Sequence, residues 1–322
     1  MKVNHSMNTN AENKVRLLIH LHAYYEELVD VYLKRISLLN SVNCSYKLFV
    51  TIPKTISNEL EVESIERIKS ITDKVEKFIS NNNYELMVVP NIGYDIGPFV
   101  SLINNVDLSL YDVVLKLHTK NTKDQSLIKL RGIYINREQW SQFLLEPLLY
   151  DVNTIDMILS EFKNNKNLNM AGSKYCFTLI KRHYQKYKDK LSELALMFGY
   201  SIEKLNKLRF CAGTMFYIRA SILKSIQNKV NIDFFDEEKE QKSSTDFSYA
   251  HAFERLFAII ATNDGGKCKE LTYPIKENIK YYYWPMLQKI THLFYENKKT
   301  PVKHTIKLFR ITVYKKKIDN CN

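Results

Sequence analysis

Four short apolar runs within the first 120 residues constrain the fold more than any other feature of the chain. The runs are continuous rather than alternating, which is typical of parallel strands that are covered on both faces. The segments between them carry apolar residues at helical spacing. This alternation predicts an α/β fold with a mostly parallel central sheet flanked by helices. The predicted strands are residues 15–21, 46–52, 86–89 and 111–117.

The rest of the chain continues the pattern less regularly. Residues 170–172 and 210–218 are apolar enough to be strands, and residues 245–261 have the periodicity of a helix. Beyond them the composition changes to mixed aromatic and basic residues. We therefore expect a flexible N-terminus over residues 1–14, one α/β domain over 15–275 and a C-terminal extension over 276–322.

Composition excludes several classes of protein. With 45% hydrophobic residues, including 21 Tyr and 16 Phe, the chain buries too much apolar surface to remain disordered. No apolar run approaches the ~20 residues that a membrane-spanning helix needs. The five cysteines are widely spaced without a Cys-x-x-Cys pair, so neither a disulfide framework nor a zinc knuckle is predicted. The polar N-terminus lacks the apolar core of a signal peptide, and we expect a reducing cytoplasm.

Polar residues follow all four predicted strands at their carboxyl ends, namely His22 and Tyr24, Pro53-Lys54, residues 91–95, and His118-Thr119-Lys120. In open α/β sheets, ligands bind beyond these ends, so the clusters predict one binding site. The substrate-binding residues predicted from them are His22, Tyr24, Asn91, Gly93, Asp95, His118, Thr119 and Lys120.

Within the third cluster, NIGYDIGPF, two glycines bracket Asp95. Glycine lets a backbone approach a ligand, and the Asp95 carboxylate is suited to accept hydrogen bonds from a ribose or sugar hydroxyl. An ordinary turn is the alternative, since Asn, Gly, Asp and Pro are common turn residues. The spacing is not Gly-x-Gly-x-x-Gly, so a dinucleotide site is not favoured.

The fourth cluster, KLHTKNTK, groups cations and hydroxyls that are suited to hold a diphosphate. Many sugar-nucleotide transferases carry Asp-x-Asp at the equivalent strand end, where it holds Mn²⁺ or Mg²⁺. Here His118-Thr119-Lys120 stands in that place, so we expect protein cations to neutralise the charge and predict no metal ligands and no required cofactor. A solvated basic loop is the alternative.

The predicted helix over residues 245–261 carries candidate catalytic carboxylates. His251, Glu254 and Arg255 share one helix edge, and Glu254 is suited to act as general base for an acceptor hydroxyl. Asp246, at the start of the helix, is suited to the same role. The alternatives are an ordinary surface ion pair for Glu254 and a helix N-cap for Asp246. Gly213, in the preceding predicted strand, marks a place where a ligand or a neighbouring backbone comes close.

Taken together, these blocks resemble the rhamnan synthesis protein F family, bacterial glycosyltransferase-like proteins of surface polysaccharide and O-antigen assembly. The matching segments, in chain order, are HLHAYY (20–25), LFVTIP (48–53), VPNIGYDIGPF (89–99), YDVVLKLHTK (111–120), CAGTMFYIRA (211–220) and D-x₄-H-x₂-ERLF (246–257).

The resemblance implies a GT-A-type fold and transfer of a sugar from a nucleotide-diphosphate donor, often deoxythymidine-diphospho-rhamnose. It also implies a lipid-linked glycan acceptor at the cytoplasmic face of the membrane. Phe247 follows Asp246 where the family pattern has Gly, and Tyr94 precedes Asp95 where a basic residue is usual. The donor therefore stays open between rhamnose and another deoxyhexose or a furanose.

The C-terminal extension is predicted to meet an anionic membrane surface. The chain carries a net charge of +12, and residues 281–322 contain nine Lys or Arg against two acidic residues. Aromatic residues beside a polybasic segment favour peripheral membrane attachment, at the inner face of the cell membrane. The predicted apolar helical stripe of this extension is Met286, Leu287, Ile290, Leu293 and Phe294.

Three alternatives compete with these functional interpretations. For the extension, the alternative is a packed C-terminal helix that has a solvated basic end. A non-catalytic scaffold in a polysaccharide-assembly complex would need no base. Nucleic-acid binding is suggested by the basic charge, but it leaves the strand-end residues unexplained, and we predict no nucleic-acid partner.

Overall fold

The computed structural model describes residues 14–54, 61–120, 122, 128–130, 133–180, 184–201, 208–238, 248–272, 294–300, 303–309 and 311–317. Its strands are β1 (Val15–His22), β2 (Cys44–Lys54), β3 (Tyr84–Pro90), β4 (Val113–His118), β5 (Ile128–Leu130), β6 (Ile133–Ile135), β7 (Leu168–Ser173), β8 (Phe177–Leu179), β9 (Arg209–Cys211), β10 (Phe216–Arg219), β11 (Lys267–Leu271), β12 (Tyr295–Thr300), β13 (Lys303–Leu308) and β14 (Ile311–Lys317). Its α-helices are α1 (Val29–Ile36), α2 (Glu61–Phe78), α3 (Ile96–Asn105), α4 (Arg137–Leu145), α5 (Val152–Asn164), α6 (Tyr184–Met197), α7 (Ala220–Leu223) and α8 (Tyr249–Thr262).

The central sheet has the strand order β11-β7-β10-β4-β1-β2-β3. Strands β1 to β4 pair in parallel, as do β7 and β11, whereas β10 runs antiparallel between β4 and β7. Helices pack on this sheet, with α3 against β1, β2 and β3 and α8 against β7 and β11. The predicted α/β class, with a mostly parallel sheet flanked by helices, is therefore confirmed.

Parallel pairing brings the predicted strand ends to one edge of the sheet. The register places His22 opposite both Thr51 and His118. Further along the same edge, Lys54 is paired with Pro90. Residues that are far apart in sequence thus meet at one edge because the four strands end together.

One predicted strand is wrong. Residues 210–218 form two strands, β9 and β10, rather than one. Gly213 has a φ of +88° and Thr214 a φ of 51° between them. Both values lie in the left-handed region, which breaks an extended strand. The resulting turn lies at the same sheet edge as His118, because Phe216 at the start of β10 pairs with Lys116 near the end of β4.

The helix predicted over residues 245–261 begins at Tyr249, where the Ser248 side chain accepts from the His251 amide as N-cap. Asp246 lies outside the described residues, and so does most of the predicted apolar stripe of the extension. The described part of the extension is a three-stranded antiparallel sheet of β12, β13 and β14, with Phe294 exposed just before it.

No helix in the described part of the chain combines the length and the apolarity that crossing a membrane requires.

Candidate functional site

Two contiguous pockets lie along the carboxyl edge of the sheet. The first, which we name the strand-end pocket, has a volume of about 510 Å³. All eight substrate-binding residues predicted from the strand ends line it, and Tyr25, Ile92, Tyr94, Arg137 and Phe235 complete its wall. The convergence of these side chains follows from the parallel pairing of their strands.

The second pocket, which we name the helix pocket, has a volume of about 370 Å³ and is bounded by α8 and the β9–β10 turn. It is lined by Gly213, His251, Glu254 and Arg255 among the predicted residues. The two pockets share the side chains Tyr94, Asp95, Lys120 and Arg137. Of the predicted site residues, only Asp246 falls outside the residues that the structure describes.

A buried ion pair underlies the junction of the pockets. Lys116 is wholly buried in β4, and its ammonium donates to the Asp95 carboxylate. The same carboxylate oxygen accepts from the Thr214 hydroxyl. Lys116 also donates to the carbonyl and hydroxyl oxygens of Thr214, each at 3.2 Å. Asp95 is fixed by these two partners while 18% of its side chain stays exposed.

Asp95 stands at the start of α3, but its side chain makes no capping hydrogen bond to that helix. The Asp95 carboxylate instead accepts a hydrogen bond from Lys116. Burial opposes ionisation of Asp95, but its interactions with His118 and Lys116 outweigh burial and hold the pKa of the carboxyl well below its usual range.

The glycine loop before α3 combines a turn with a pocket wall. Gly93 has a φ of +71°, and a Cβ on it would lie 2.8 Å from Cγ of Phe235. Tyr94 also has a positive φ of 53°, and 64% of its side chain is exposed. Its ring lies 5.7 Å from that of His251 across the pocket junction. The loop is therefore a turn that also forms part of the pocket wall.

The Thr51 hydroxyl links two buried histidines, His20 and His22, and His22 lines the strand-end pocket. His20 Nε2 lies 2.8 Å, and His22 Nδ1 3.0 Å, from the Thr51 hydroxyl. A hydroxyl has one proton, so it donates to one ring and accepts from the other. His22 Nε2 is buried and has no hydrogen-bond partner among the described residues. This nitrogen is free to bind a ligand in the pocket.

Burial determines the protonation state of His22 and His118. It lowers the pKa of His22 to about 3 and that of His118 to about 4. Both imidazoles are therefore neutral near pH 7. His118 Nε2 lies 2.8 Å from the Gly213 carbonyl oxygen, which only accepts, so this nitrogen carries the proton.

These lowered pKa values predict that acidification destabilises the protein. In the unfolded chain a histidine has a pKa of about 6.5, so below that pH the unfolded state binds protons that the folded state does not. The stabilisation is complete above about pH 6.5 and is lost progressively towards pH 4, by about 2 kcal/mol per histidine at pH 5. Urea unfolding at pH 7 and pH 5 measures the difference.

The variant His118→Gln supplies the control for this prediction. It should remove the contribution of one histidine. The free energy of unfolding should then differ less between pH 7 and pH 5 than it does in the wild-type protein. Asp95 does not contribute in this window, because its carboxyl titrates below it. Equal free energies of unfolding at pH 5 and pH 7 would show that the histidines are not held neutral.

Gly213 connects the two pockets. Its carbonyl accepts from His118, and its amide donates to Glu254 Oε1 at 2.6 Å. A Cβ at this position would lie 2.9 Å from Cδ1 of Leu144, and the positive φ already disfavours other residues. The predicted close approach at Gly213 is thus a contact with protein groups on both sides.

Glu254 is held by donors at both oxygens. Oε2 lies 2.6 Å from Nη1 of Arg255, and the Arg255 guanidinium stacks 4.4 Å from the Tyr187 ring centroid and 4.2 Å from that of Phe210. Arg255 also donates to the His251 carbonyl. The carboxylate therefore faces the helix pocket in one fixed orientation, with 14% of its side chain exposed.

Sequence reasoning missed several residues of the site. Lys116 and Thr51 lie inside apolar strands, and Thr214 lies in a turn that was predicted as strand. Arg137 and Trp140 lie on α4, whose segment showed no motif. A charged residue inside a run as apolar as VVLKLH was the one available signal, since a buried lysine requires a partner.

The described residues do not fit a divalent metal site. Asp95 and Glu254 are the only carboxylates among the described residues that line the pockets, and each is engaged by a protein cation. No group of three His, Cys, Asp or Glu side chains suited to a metal ion occurs among the described residues.

Comparison with known proteins gives one family and several distant structures. A family model described as "Rhamnan synthesis protein F" matches residues 1–265. The uncharacterized protein WxcX of Xanthomonas campestris pv. campestris strain B100 is 25% identical over 246 residues, which cover 76% of this chain. The match spans 31% of WxcX, so the chain covers less than a third of that relative's length.

Comparison with solved structures finds several at low identity and with TM-scores below 0.5. The mannosyltransferase Ktr4p of S. cerevisiae in complex with GDP has a TM-score of 0.39 at 10% identity, covering 80% of this chain and 70% of that one. The glycosyltransferase GlyE of Streptococcus pneumoniae TIGR4 has a TM-score of 0.35 at 13% identity, covering 87% and 50%. Glucosyl-3-phosphoglycerate synthase of Mycobacterium tuberculosis, in complex with Mn²⁺ and uridine-diphosphate, has a TM-score of 0.32 at 10% identity, covering 95% and 91%.

Proposed function

Because the chain belongs to the rhamnan synthesis protein F family, we propose that it is a GT-A-type glycosyltransferase acting in polysaccharide assembly. It moves a sugar from a nucleotide-diphosphate donor to a hydroxyl of a lipid-linked glycan. The observation that carries the proposal is the meeting of the strand-end residues and the α8 residues around two contiguous pockets. A two-substrate transfer needs this arrangement, with the reacting atoms at the junction.

The strand-end pocket is the proposed donor site. Its volume is in the range that small-molecule ligands occupy. Tyr24, which is 42% exposed, offers a ring for stacking on the base, and the Arg67 guanidinium fixes its backbone by donating to the Tyr24 carbonyl at 2.6 Å. His22 Nε2 offers a hydrogen bond to the ligand, and the exposed part of Asp95 accepts from a ribose or sugar hydroxyl.

The helix pocket is the proposed acceptor site. Glu254 removes the proton of the acceptor hydroxyl as that oxygen bonds to the anomeric carbon of the donor sugar. The bond from the anomeric carbon to the diphosphate breaks, and its electron pair leaves with the phosphate oxygen. Arg255 positions Glu254 through the contacts described above. Asp246 stays the alternative base.

The donor sugar is proposed to be rhamnose, or otherwise another deoxyhexose or a furanose. The description of the family supports rhamnose. Tyr94 is suited to contact the sugar, since its exposed ring lies in the wall of both pockets.

The C-terminal sheet is proposed to contact an anionic membrane from the cytoplasmic side, which would bring the site to a lipid-linked acceptor. Lysines 307, 315 and 316 lie there among exposed apolar side chains such as Ile311 and Val313. An anionic surface would relieve the repulsion between the positive charges of these lysines.

Calorimetry with dTDP-, UDP- and GDP-linked sugars, including dTDP-rhamnose, tests the proposed donor site. We expect one of them to bind and to lose its sugar to a glycan acceptor, as detected by mass spectrometry. Tyr24→Ala should weaken that binding by about 5–150-fold, because stacking on a base contributes about 1–3 kcal/mol. Tyr295→Ala removes a comparably exposed ring from the C-terminal sheet and should leave binding unchanged.

The outcomes separate this proposal from its alternatives. Donor binding without transfer to any glycan would support a non-catalytic scaffold. Binding of polynucleotides with a steep salt dependence, and no binding of nucleotide sugars, would support the nucleic-acid alternative and refute the transferase.

A further inference from the structure

A cluster on α4 suggests how the diphosphate is held. Lys120 and Arg137 line both pockets, and so lie where the nucleoside side of a donor meets the acceptor side. The indole of Trp140 lies next to both. Its ring centroid is 4.4 Å from Nζ of Lys120 and 5.7 Å from Cζ of Arg137. An aromatic face attracts cations and so reduces the cost of placing two of them together.

The described residues around the junction include four cations, Lys116, Lys120, Arg137 and Arg255, and two carboxylates, Asp95 and Glu254. Lys116 and Arg255 form ion pairs with these carboxylates. Lys120 and Arg137 place two further positive charges in the wall of both pockets. The two phosphates of a nucleotide sugar carry one negative charge each, which is complementary to these two cations.

A second observation points to a ligand at the same place. Nε1 of Trp140 is buried and has no hydrogen-bond partner among the described residues. Trp140 also lines the helix pocket. An indole N–H only donates, so a ligand oxygen would satisfy it. A phosphate or sugar oxygen at the junction has the required chemistry.

We propose that Lys120 and Arg137, positioned by Trp140, bind the donor diphosphate in the role that a divalent cation fills in Asp-x-Asp transferases. This inference rests on the proposed function. It follows from the observation that the described residues are poorly suited to bind a divalent metal ion. As the bond from the anomeric carbon to oxygen breaks, its electron pair adds negative charge to the departing diphosphate. The two cations stabilise that charge. Lys116 does not reach it, because its side chain is wholly buried.

Binding of inorganic pyrophosphate, UDP, dTDP and GDP to the full chain, with EDTA or with Mn²⁺, tests the inference. We expect at least one nucleoside diphosphate and pyrophosphate to bind with the same Kd under both conditions. Lys120→Gln and Arg137→Gln should each weaken this binding by about 10–100-fold, the effect of losing a charged hydrogen bond. Uridine, thymidine or guanosine binding should not change. Lys166→Gln, an exposed lysine before β7 at the opposite edge of the sheet, is the matched control.

Trp140 is tested as a positioning residue. Trp140→Phe keeps a ring under the cations, and should weaken pyrophosphate binding less than Trp140→Leu, which removes the ring. Equal losses in both variants would exclude the positioning role of the ring. Thermal unfolding of each variant identifies those that fail to fold.

The results distinguish this inference from the proposed function. Diphosphate binding that EDTA abolishes and Mn²⁺ restores overturns the inference while leaving the transferase intact. Lack of pyrophosphate and nucleotide binding, or unchanged binding in both cation variants, also overturns it. Metal-independent binding that needs Lys120 and Arg137, without sugar transfer, supports the inference and counts against the proposed activity.

Discussion

Replacing Asp95 by alanine is expected to lower the free energy of unfolding by about 3–5 kcal/mol. The substitution leaves the ammonium of Lys116 inside β4 without a carboxylate, and that side chain is wholly buried. The hydroxyl and carbonyl oxygens of Thr214, each 3.2 Å away, cannot replace a full negative charge. Urea unfolding at pH 7 measures the change.

Two further variants separate the lost pairing from the lost side chain. The double variant Asp95→Ala, Lys116→Met removes both charges and should recover most of the stability, since an apolar replacement of a buried pair is often neutral. Asp112→Ala breaks an ion pair with Arg16 whose side chains are 39% and 49% exposed, and should cost about 1 kcal/mol or less. If Asp95→Ala costs no more than Asp112→Ala, the buried pair does not stabilise the fold as described.

The central sheet could be predicted because its signal is local. Each of β1 to β4 is an uninterrupted apolar run, and the parallel pairing follows from the helices between them. The meeting of His22 and His118 then follows from geometry, since parallel strands end at one edge. The β9–β10 turn was missed because its signal is weak. A single glycine in an apolar run indicates a close approach within a strand. In the structure Thr214 adopts a left-handed φ as well as Gly213, and the two residues together end the strand.

The electrostatics of the site could be predicted only in part. The lysine within VVLKLH requires a partner, but the sequence does not say which carboxylate supplies it. Asp95 is 21 residues away, and only the packing of α3 on the central sheet brings it there. The hydroxyl of Thr51 between two histidines depends on the register of β1 and β2. Long-range pairings of this kind leave no periodic trace in a single sequence.

The aromatic residues that contact the cations could not be predicted from the sequence either, because they come from other elements of the fold. Arg255 was predicted from its place on the edge of α8, and it does line the helix pocket. Its contacts with Tyr187 and Phe210 come from two other elements. Lys120 was predicted from its strand end, whereas its partner Trp140 lies on α4. The role of Asp246 stays a prediction, because that residue lies outside the described part of the chain.

Glu254→Gln is expected to lower kcat for sugar transfer by about 10²–10⁴-fold, the usual contribution of a general base. An amide cannot take the proton of the acceptor hydroxyl. It also cannot satisfy both donors that hold the carboxylate, because its NH₂ group would face either Gly213 N–H or Arg255. Nucleoside diphosphate binding should stay near the wild-type value, since Glu254 is not among the residues proposed to contact the donor. Glu193→Gln, whose carboxylate accepts from the Tyr249 hydroxyl on the exposed surface, is the matched control.

Chemical rescue separates catalysis by Glu254 from a structural role. In Glu254→Ala the space left beside Gly213 N–H and Arg255 should admit formate, and added formate should restore part of kcat. A residue that only supports the pocket would not show this recovery. Asp246→Asn, assayed in parallel, addresses the alternative base. If kcat falls less than about 10-fold in Glu254→Gln and collapses in Asp246→Asn, the base is Asp246, and Glu254 serves to hold the turn at Gly213.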